Sequence, residues 1–236
     1  MNDLIGLLSF GPDGWGDELA AGTGITVGLA LATLPFGLVL GFFVALAKNS
    51  SEPNLRSAAN VYTTIFRGLP ELLTLFIVYY GGQMLLQKVV KLFSDTYVEV
   101  NSFVAGMIAL GLVFSAFSSE VFLGALRGIT QGQYESAYAL GMSKGKTMRL
   151  VILPQLIRLA LPGLSNLWMV LLKDTALVSI IALPDLLRMT SVAVGNTKEP
   201  FFFFGVASLI YLALAILSSV GIGSIGKWAE RGQERR

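Results

Sequence analysis

The residues able to do chemistry in this sequence are a few charged side chains that interrupt long apolar runs. The chain has no Cys and no His, which excludes a Ser-His-Asp or Cys-His nucleophile, a His or Cys zinc site and a His-ligated haem. No pair of inward carboxylates at helical spacing is evident for acid and base catalysis. The interrupting charges therefore indicate ion pairing or substrate passage; they are Arg67, Glu71, Glu120, Lys173 and Asp174.

Composition places these charges in a membrane. Of the 236 residues, 54% are hydrophobic and 14% are charged, whereas a soluble domain has roughly 25% charged residues. The formal net charge of +2 is too small to indicate a nucleic-acid partner. We therefore predict an all-α integral membrane protein that has the lipid bilayer as a partner.

Five windows are long and apolar enough to be transmembrane helices, which need about 20 residues each. The first and last contain no charged residue, the third contains Glu120, and the fourth contains Lys173 and Asp174. The second must accommodate Arg67, Pro70 and Glu71, so we interpret it as a broken helix whose polar groups face the protein interior. The predicted spans are residues 22–47, a span within 61–86, then 103–126, 159–183 and 201–222.

Basic residues set the predicted orientation, because Lys and Arg are retained on the cytoplasmic side of a membrane. With the N-terminus outside, eleven basic residues fall in the inner segments and four in the outer ones. We therefore predict an N-out, C-in topology. The start lacks the positive region of a cleavable signal peptide. Residues 1–21 are expected to lie along the outer interface with Trp15, and residues 227–236 to form a cytoplasmic tail.

Span one carries two stripes of small residues that would let another helix approach closely. Gly24, Gly28 and Ala32 form the first stripe, and Gly37 and Gly41 form the second. Packing within the chain is the favoured interpretation, and a subunit interface is the alternative.

The inner segment of residues 127–158, between the third and fourth spans, is too long for a structureless loop. Two short helices are predicted in it, over residues 134–140 and 144–153, with Gly141 in the left-handed conformation that ends a helix. Pro154 is expected to restrict Leu153 to an extended conformation after the second helix. The segment should therefore project on the cytoplasmic face as a docking surface.

The stretch from Gly141 to Thr147 is similar to a phosphate-binding loop, because Gly145 and Lys146 precede Thr147. A phosphate loop has four residues between its first Gly and its Gly-Lys pair, and it follows a buried strand. Here three residues intervene, and a helical pattern precedes them. Any ATP-driven work would therefore need ATP and Mg on a separate ATPase chain, with no cofactor in this one.

The same segment resembles the EAA motif of permeases of binding-protein-dependent ABC importers. In that family the motif is followed by Gly after three residues and by Ile-x-Leu-Pro after nine more. The matching positions are Glu135, Ser136, Ala137, Gly141, Val151, Leu153 and Pro154. Ser136 and Val151 depart from the family's Ala and Ile. Residues 66–73 are similar to the family's Arg-Gly-Thr-Pro signature, and residues 119–128 and 160–179 also match, so the resemblance covers about residues 20–230.

The resemblance implies a five-span type I ABC importer transmembrane domain over residues 22–226, in the bacterial inner membrane. The branch it is similar to comprises Q-type subunits that move polar amino acids, here a basic or opine-type one. Those subunits work as a heterodimer with a homologous M-type permease, two ATPase subunits and a periplasmic substrate-binding protein. The seven motif residues are thereby assigned to coupling with the ATPase, and Glu135 and Ala137 are expected on the exposed side of the segment.

Substrate-pathway residues are expected on the second, third and fourth spans. Asn166 coincides with a position where family members hold substrate, although an Asn in a span is also common interhelical glue. Leu167 stands where several of them have Glu or Asn, which favours a carboxylate of the partner subunit for a cationic group. A structural ion pair with Arg67 or Arg127 is expected for Glu120. The pathway candidates are Asn166, Glu71, Arg67, Glu120, Lys173, Asp174 and Thr175.

Two other classes of protein stay open at this point. The intramembrane carboxylates Glu71 and Glu120 would suit an ion-driven secondary carrier without an ATPase partner. The chain shows no internal repeat of the kind that builds such carriers. A membrane-embedded hydrolase or transferase is disfavoured because the chain has no His and no Cys. We accordingly predict a transport subunit with no catalytic residue and no metal ligand.

Overall fold

A computed structural model describes residues 2–230 of the chain, with side chains described for residues 4–223. Helices make up most of the described part, in which no strand occurs. The helices are α1 (Asn2–Gly6), α2 (Gly16–Lys48), α3 (Pro53–Gly68), α4 (Glu71–Phe76), α5 (Gly82–Val90), α6 (Ser102–Gly128), α7 (Gln131–Ala139), α8 (Lys144–Thr147), α9 (Leu153–Asp174), α10 (Leu186–Thr197) and α11 (Pro200–Glu230). Two π-helical turns, Ile77–Gly81 and Met148–Ile152, join α4 to α5 and α8 to α9, and a 3₁₀ helix, Thr175–Ile181, follows α9.

Five helical stretches are long and apolar enough to cross a membrane. They are Gly16–Lys48, Glu71–Val90, Ser102–Gly128, Lys144–Ile181 and Pro200–Gly223. The predicted all-α, five-span architecture is therefore confirmed. Of the predicted tail at residues 227–236, α11 reaches Glu230, and residues 231–236 lie outside the described part.

The second span begins at Glu71, after a break in the helix. Leu69 has extended dihedral angles (φ −85°, ψ 141°), because a proline disfavours the helical conformation in the residue before it. Arg67 therefore lies in the last turn of α3, and Glu71 lies in the first turn of α4. The predicted break is confirmed, whereas the expectation that one span holds Arg67, Pro70 and Glu71 together is wrong.

The centre of the bundle is the contact between α2 and α6. A Cβ added at Gly37 would lie 2.5 Å from Cδ1 of Phe114, and one added at Gly41 would lie 2.8 Å from the α6 backbone. The second small-residue stripe thus packs within the chain, as the favoured interpretation states. A Cβ at Gly24 or Gly28 would have no described atom within 4 Å outside its own helix, so this part of the first stripe packs against nothing in the described chain.

Residues 131–152, which we call the elbow, connect α6 to α9. Gly141 has φ 75°, its N–H donates to the Tyr138 carbonyl (2.9 Å), and the Met142 N–H donates to the Ala137 carbonyl (3.1 Å). These two bonds form the Schellman cap that closes a helix C-terminus through a left-handed residue. The predicted turn at Gly141 is therefore confirmed.

The helix after this turn does not end at Pro154, and that prediction is wrong. Leu153 is helical, with φ −59° and ψ −42°. Pro154 stands in the first turn of α9, where a proline without an N–H is tolerated, and the preceding π-helical turn changes the hydrogen-bond register. The stretch Lys144–Ile181 is consequently continuous, so the elbow is joined to the fourth span without a loop.

A fully buried carboxyl group, that of Asp185, caps α10. It accepts hydrogen bonds from the backbone N–H groups of Arg188 (2.9 Å) and Leu187 (3.4 Å). Burial raises the pKa of Asp185 to about 6, although the backbone hydrogen bonds oppose this shift. Between about pH 4 and pH 6 the folded chain therefore retains a proton on Asp185 that an unfolded chain, with a pKa near 3.8, has lost.

We expect Asp185→Asn to stabilise the protein at neutral pH and to have no effect below about pH 4. Because the folded pKa is the higher one, the stability of the natural chain falls as pH rises from about 4 to 6. Asn caps helices as well as Asp does, so the gain should be on the order of 1–3 kcal/mol. Thermal unfolding of both forms at pH 4 and pH 7.5 measures it. Asp13→Asn, at an exposed position, is the control. The same difference in stability between Asp185→Asn and the natural chain at both pH values would contradict the assignment.

Candidate functional site

The elbow presents part of its motif to the outside and buries the rest. Glu135 and Ser136 are exposed, and the Glu135 carboxylate accepts a hydrogen bond from Nε2 of Gln131 (2.8 Å). Ala137 is only 3% exposed, so the expectation that it lies on the outer side is wrong. The reason is that α7 packs against the π-helical turn Met148–Ile152, and a small residue lets the two approach.

Several large apolar side chains of the elbow are exposed. Leu140 is 82% exposed, Leu150 is 62% exposed and Tyr138 is 45% exposed. Among the later motif residues, Val151 and Leu153 are half-buried and Pro154 is exposed. Apolar side chains grouped on a projecting turn are typical of a surface that binds another protein.

A second group of functional residues, which we call the charge cluster, joins α2, α3 and α6. One carboxylate oxygen of Glu120 accepts from Nζ of Lys48 (2.5 Å) and from a guanidinium nitrogen of Arg67 (2.9 Å). Lys48 also donates to Oγ1 of Thr63 (3.1 Å). The Arg67 guanidinium lies 5.5 Å from the centre of the Phe117 ring, close enough for a cation–π interaction.

The predicted structural ion pair between Glu120 and Arg67 is thereby confirmed. The alternative partner, Arg127, does not pair with Glu120. Arg127 is exposed and forms no ion pair with any described side chain. Lys48 was missed, because 72 residues separate it from Glu120 and its place at the end of a span marked it only as a topology signal.

The third group is a narrow cavity between α4, α6 and α9, which we call the carboxylate cavity. Glu71 and Asp174 line it, and apolar side chains that include Phe114, Phe117 and Leu167 form the rest of its wall. The two carboxyl groups are close enough to interact directly. The sequence could not place them together, because Glu71 opens one span and Asp174 closes another.

The remaining pathway candidates on the fourth span, Asn166, Lys173 and Thr175, do not line this cavity. Asn166 and Lys173 are both exposed and share one face of α9, as expected from their spacing. Thr175 is fully buried and donates its hydroxyl hydrogen to the Leu172 carbonyl (2.8 Å). Its hydroxyl is therefore used within the helix.

Comparisons with known proteins agree with this arrangement. A family profile described as the inner membrane component of binding-protein-dependent transport systems matches residues 15–232. The nopaline transport system permease protein NocQ of Agrobacterium fabrum is 41% identical over 228 residues, covering 96% of this chain and 97% of that protein. The arginine ABC transporter permease protein ArtQ of Haemophilus influenzae is 41% identical over 198 residues, covering 84% and 87%. A crystal structure of an amino acid ABC transporter with histidines matches with a TM-score of 0.76 at 30% identity, over 90% of this chain and 94% of that one.

Five spans, an exposed elbow and charges within the bundle define the transmembrane domain of an ABC importer. The chain belongs to the family of inner membrane components of binding-protein-dependent transport systems. Its relatives are transport permease subunits, which supports a permease over an ion-driven carrier. Membership implies a membrane context, a partner ATPase and a substrate-binding protein.

Proposed function

We propose that this chain is the Q-type subunit of a bacterial inner-membrane importer for a basic or opine-type amino acid. It pairs with a homologous M-type permease and with two ATPase subunits, which bind ATP and Mg. A periplasmic binding protein delivers the substrate. The N-out, C-in topology belongs to the proposal, because it puts the elbow on the side where ATP is available.

The carboxylate cavity supports the choice of a cationic substrate. Glu71 and Asp174 bring two acidic groups to one place between apolar walls, where an unpaired charge is costly. The cavity has a volume of about 20 Å³, which is room for about one water molecule. Its walls would have to separate before a guanidinium or ammonium group could enter and offset that cost with charge-assisted hydrogen bonds. Leu167 lies in the wall of the same cavity, so these two carboxylates substitute for the acidic side chain absent at position 167.

The relatives support the same substrate class. NocQ is named for nopaline transport and ArtQ for arginine transport. Both are similar to this chain over most of its length. A basic or opine-type amino acid is therefore the substrate class that the cavity and the relatives jointly favour.

The elbow supports coupling to a separate ATPase. Exposed Glu135 and Ser136, with the apolar side chains of Tyr138, Leu140 and Leu150, form a projecting surface. The elbow is continuous with α9, which ends at Asp174 in the carboxylate cavity. ATPase binding at one end of this helix would therefore bias the position of a residue of the cavity at the other end.

Reconstitution in proteoliposomes tests the proposal. The complete assembly should import L-arginine, L-lysine, L-histidine, L-ornithine, octopine or nopaline only when ATP and the ATPase are present. Replacing Glu71 with Gln and Asp174 with Asn together should lower uptake at least about tenfold, the value of one lost charge-assisted hydrogen bond.

Two results would contradict the proposed function. Uptake that persists without the ATPase would indicate an ion-driven carrier. Full uptake by the double variant would remove the carboxylate cavity from the pathway. Glu99→Gln is the matched control, because Glu99 is exposed and forms no ion pair with a described side chain. Substrate affinity of the binding protein is measured separately by titration.

A further inference from the structure

Two glutamine side chains of α5 hold the stretch of chain that leads from this helix to α6. The side chain of Gln83 donates to the Val98 carbonyl (2.8 Å) and accepts from the Val100 N–H (2.7 Å). The side chain of Gln87 donates to the Thr96 carbonyl (3.2 Å) and accepts from the Val98 N–H (3.3 Å). These hydrogen bonds fasten the stretch along the side of α5.

The spacing of the bonds shows that this stretch, residues 96–100, is extended, and we call it the clamped segment. Residues four apart on a helix are about 6 Å apart along its axis, and residues two apart on an extended chain are about 6.6 Å apart. Gln83 and Gln87 therefore match the carbonyl groups of Val98 and Thr96, in an antiparallel direction. Only every second residue of the segment is bonded, as on one side of a β-ladder.

Tyr97 lies between two bonded residues, so its own backbone groups point away from α5. Its N–H and C=O form no hydrogen bond with any residue that the structure describes. The residue is 64% exposed, so another chain can reach this side of the segment. A free N–H and C=O on one residue are the two groups that an antiparallel strand exchanges with the residue opposite.

These free groups need water or another protein chain beside them, because lipid tails offer no hydrogen-bonding group. The turn that leads into the clamped segment also exposes two large apolar side chains. Leu92 is 78% exposed and Phe93 is 87% exposed. Exposed apolar side chains next to an open backbone edge are typical of a surface that binds another protein.

The position of the clamped segment indicates which protein this is. The segment ends directly before α6, whereas the elbow begins directly after it, and a helix of 27 residues is about 40 Å long. The proposed function places the ATPase at the elbow. The clamped segment is consequently at the far end of α6, on the side that receives the substrate-binding protein implied by family membership.

We propose that an extended segment of the substrate-binding protein pairs with the clamped segment by exchanging backbone hydrogen bonds with Tyr97. The proposal rests on the proposed function and specifies the surface for one of its partners. In this mode of recognition, backbone hydrogen bonds to an open edge supply the affinity, so substitution of other side chains in the segment leaves the pairing intact. The two glutamines lower the entropic cost, because the segment is already extended before the partner arrives.

Hydrogen–deuterium exchange of the Tyr97 amide tests the pairing in the permease–ATPase assembly in nanodiscs. Without the binding protein, this amide should exchange as fast as an exposed, unbonded amide. Saturation with the binding protein should slow its exchange at least about tenfold, because a paired amide exchanges only when the structure opens. Unchanged exchange would overturn the proposal. Protection before the binding protein is added would overturn it as well, since lipid or the partner permease would then cover the edge.

Tyr97→Pro removes the free N–H and no hydrogen bond within the described chain, and the extended Thr96 before it is compatible with a proline. Tyr97→Ala is the matched control, because it removes the same side chain and keeps the N–H. The binding protein should bind the assembly with Tyr97→Pro about fivefold more weakly than the assembly with Tyr97→Ala, the value of one hydrogen bond. Equal affinities would overturn the proposal. Failure of the natural assembly to bind the binding protein at all would instead contradict the proposed function, and the pairing with it.

Discussion

Gly141→Val is expected to lower uptake at least about tenfold per ATP hydrolysed while the complex still assembles. Gly141 has φ 75°, and an L-residue in this region costs about 1–2 kcal/mol, with β-branched residues among the least tolerated. A Cβ at this position would meet no described atom within 4 Å. The substitution therefore acts through backbone strain on the elbow and not through a clash. Parallel assays of uptake and ATPase activity in proteoliposomes give the ratio.

Two further variants separate strain from altered surface chemistry. Gly145→Val makes the same change four residues away, at a glycine that is also open but lacks a positive φ, and should leave the ratio unchanged. Gly141→Asn should retain most coupling, because Asn tolerates the left-handed conformation. A normal ratio of uptake to hydrolysis in assembled Gly141→Val would show that the turn is not part of coupling.

Glu120→Gln is expected to destabilise the protein by about 1–3 kcal/mol, less than the cost of breaking a fully buried ion pair, because Glu120 is 32% exposed. Lys48 would be left 9% exposed in the membrane, with Thr63 as its remaining partner. Arg67 is 44% exposed and would lose less. A lower thermal unfolding midpoint and a lower yield of the purified assembly are the measurements.

Removing the cation with the anion should reverse most of this loss. In the double variant Lys48→Met with Glu120→Gln, no buried charge is left unpaired, and an apolar replacement of an ion pair is often neutral or stabilising. Glu99→Gln changes the same group at an exposed site and should have no effect. If the double variant were less stable than Glu120→Gln, burial of an unpaired Lys48 would not be the cause.

The features that sequence predicted are those set by nearby residues. Five apolar windows yielded five spans, Pro70 broke the helix before Glu71, and Gly141 adopted the left-handed turn. In each case the controlling interaction lies within a few residues along the chain. The Glu120–Arg67 pair was predictable for another reason, since an intramembrane carboxylate requires a cation and few are present.

The features that sequence did not predict depend on contacts between distant segments. The helical conformation of Leu153 depends on the π-helical turn before Pro154, which a local rule for prolines does not include. Burial of Ala137 depends on the packing of α7 against that turn. The meeting of Glu71 with Asp174 required α4 and α9 to pack on opposite sides of the same cavity.

The unbroken helix from Lys144 to Asp174 has a mechanical consequence. The thirty steps of about 1.5 Å from Lys144 to Asp174 make it about 45 Å long, so a tilt of about 5° about its inner end would move Asp174 by about 4 Å. A carboxylate displaced that far loses any hydrogen bond it holds. A small rotation of the elbow would therefore suffice to break the contacts of a substrate held, as proposed, beside Asp174 at the other end of this helix.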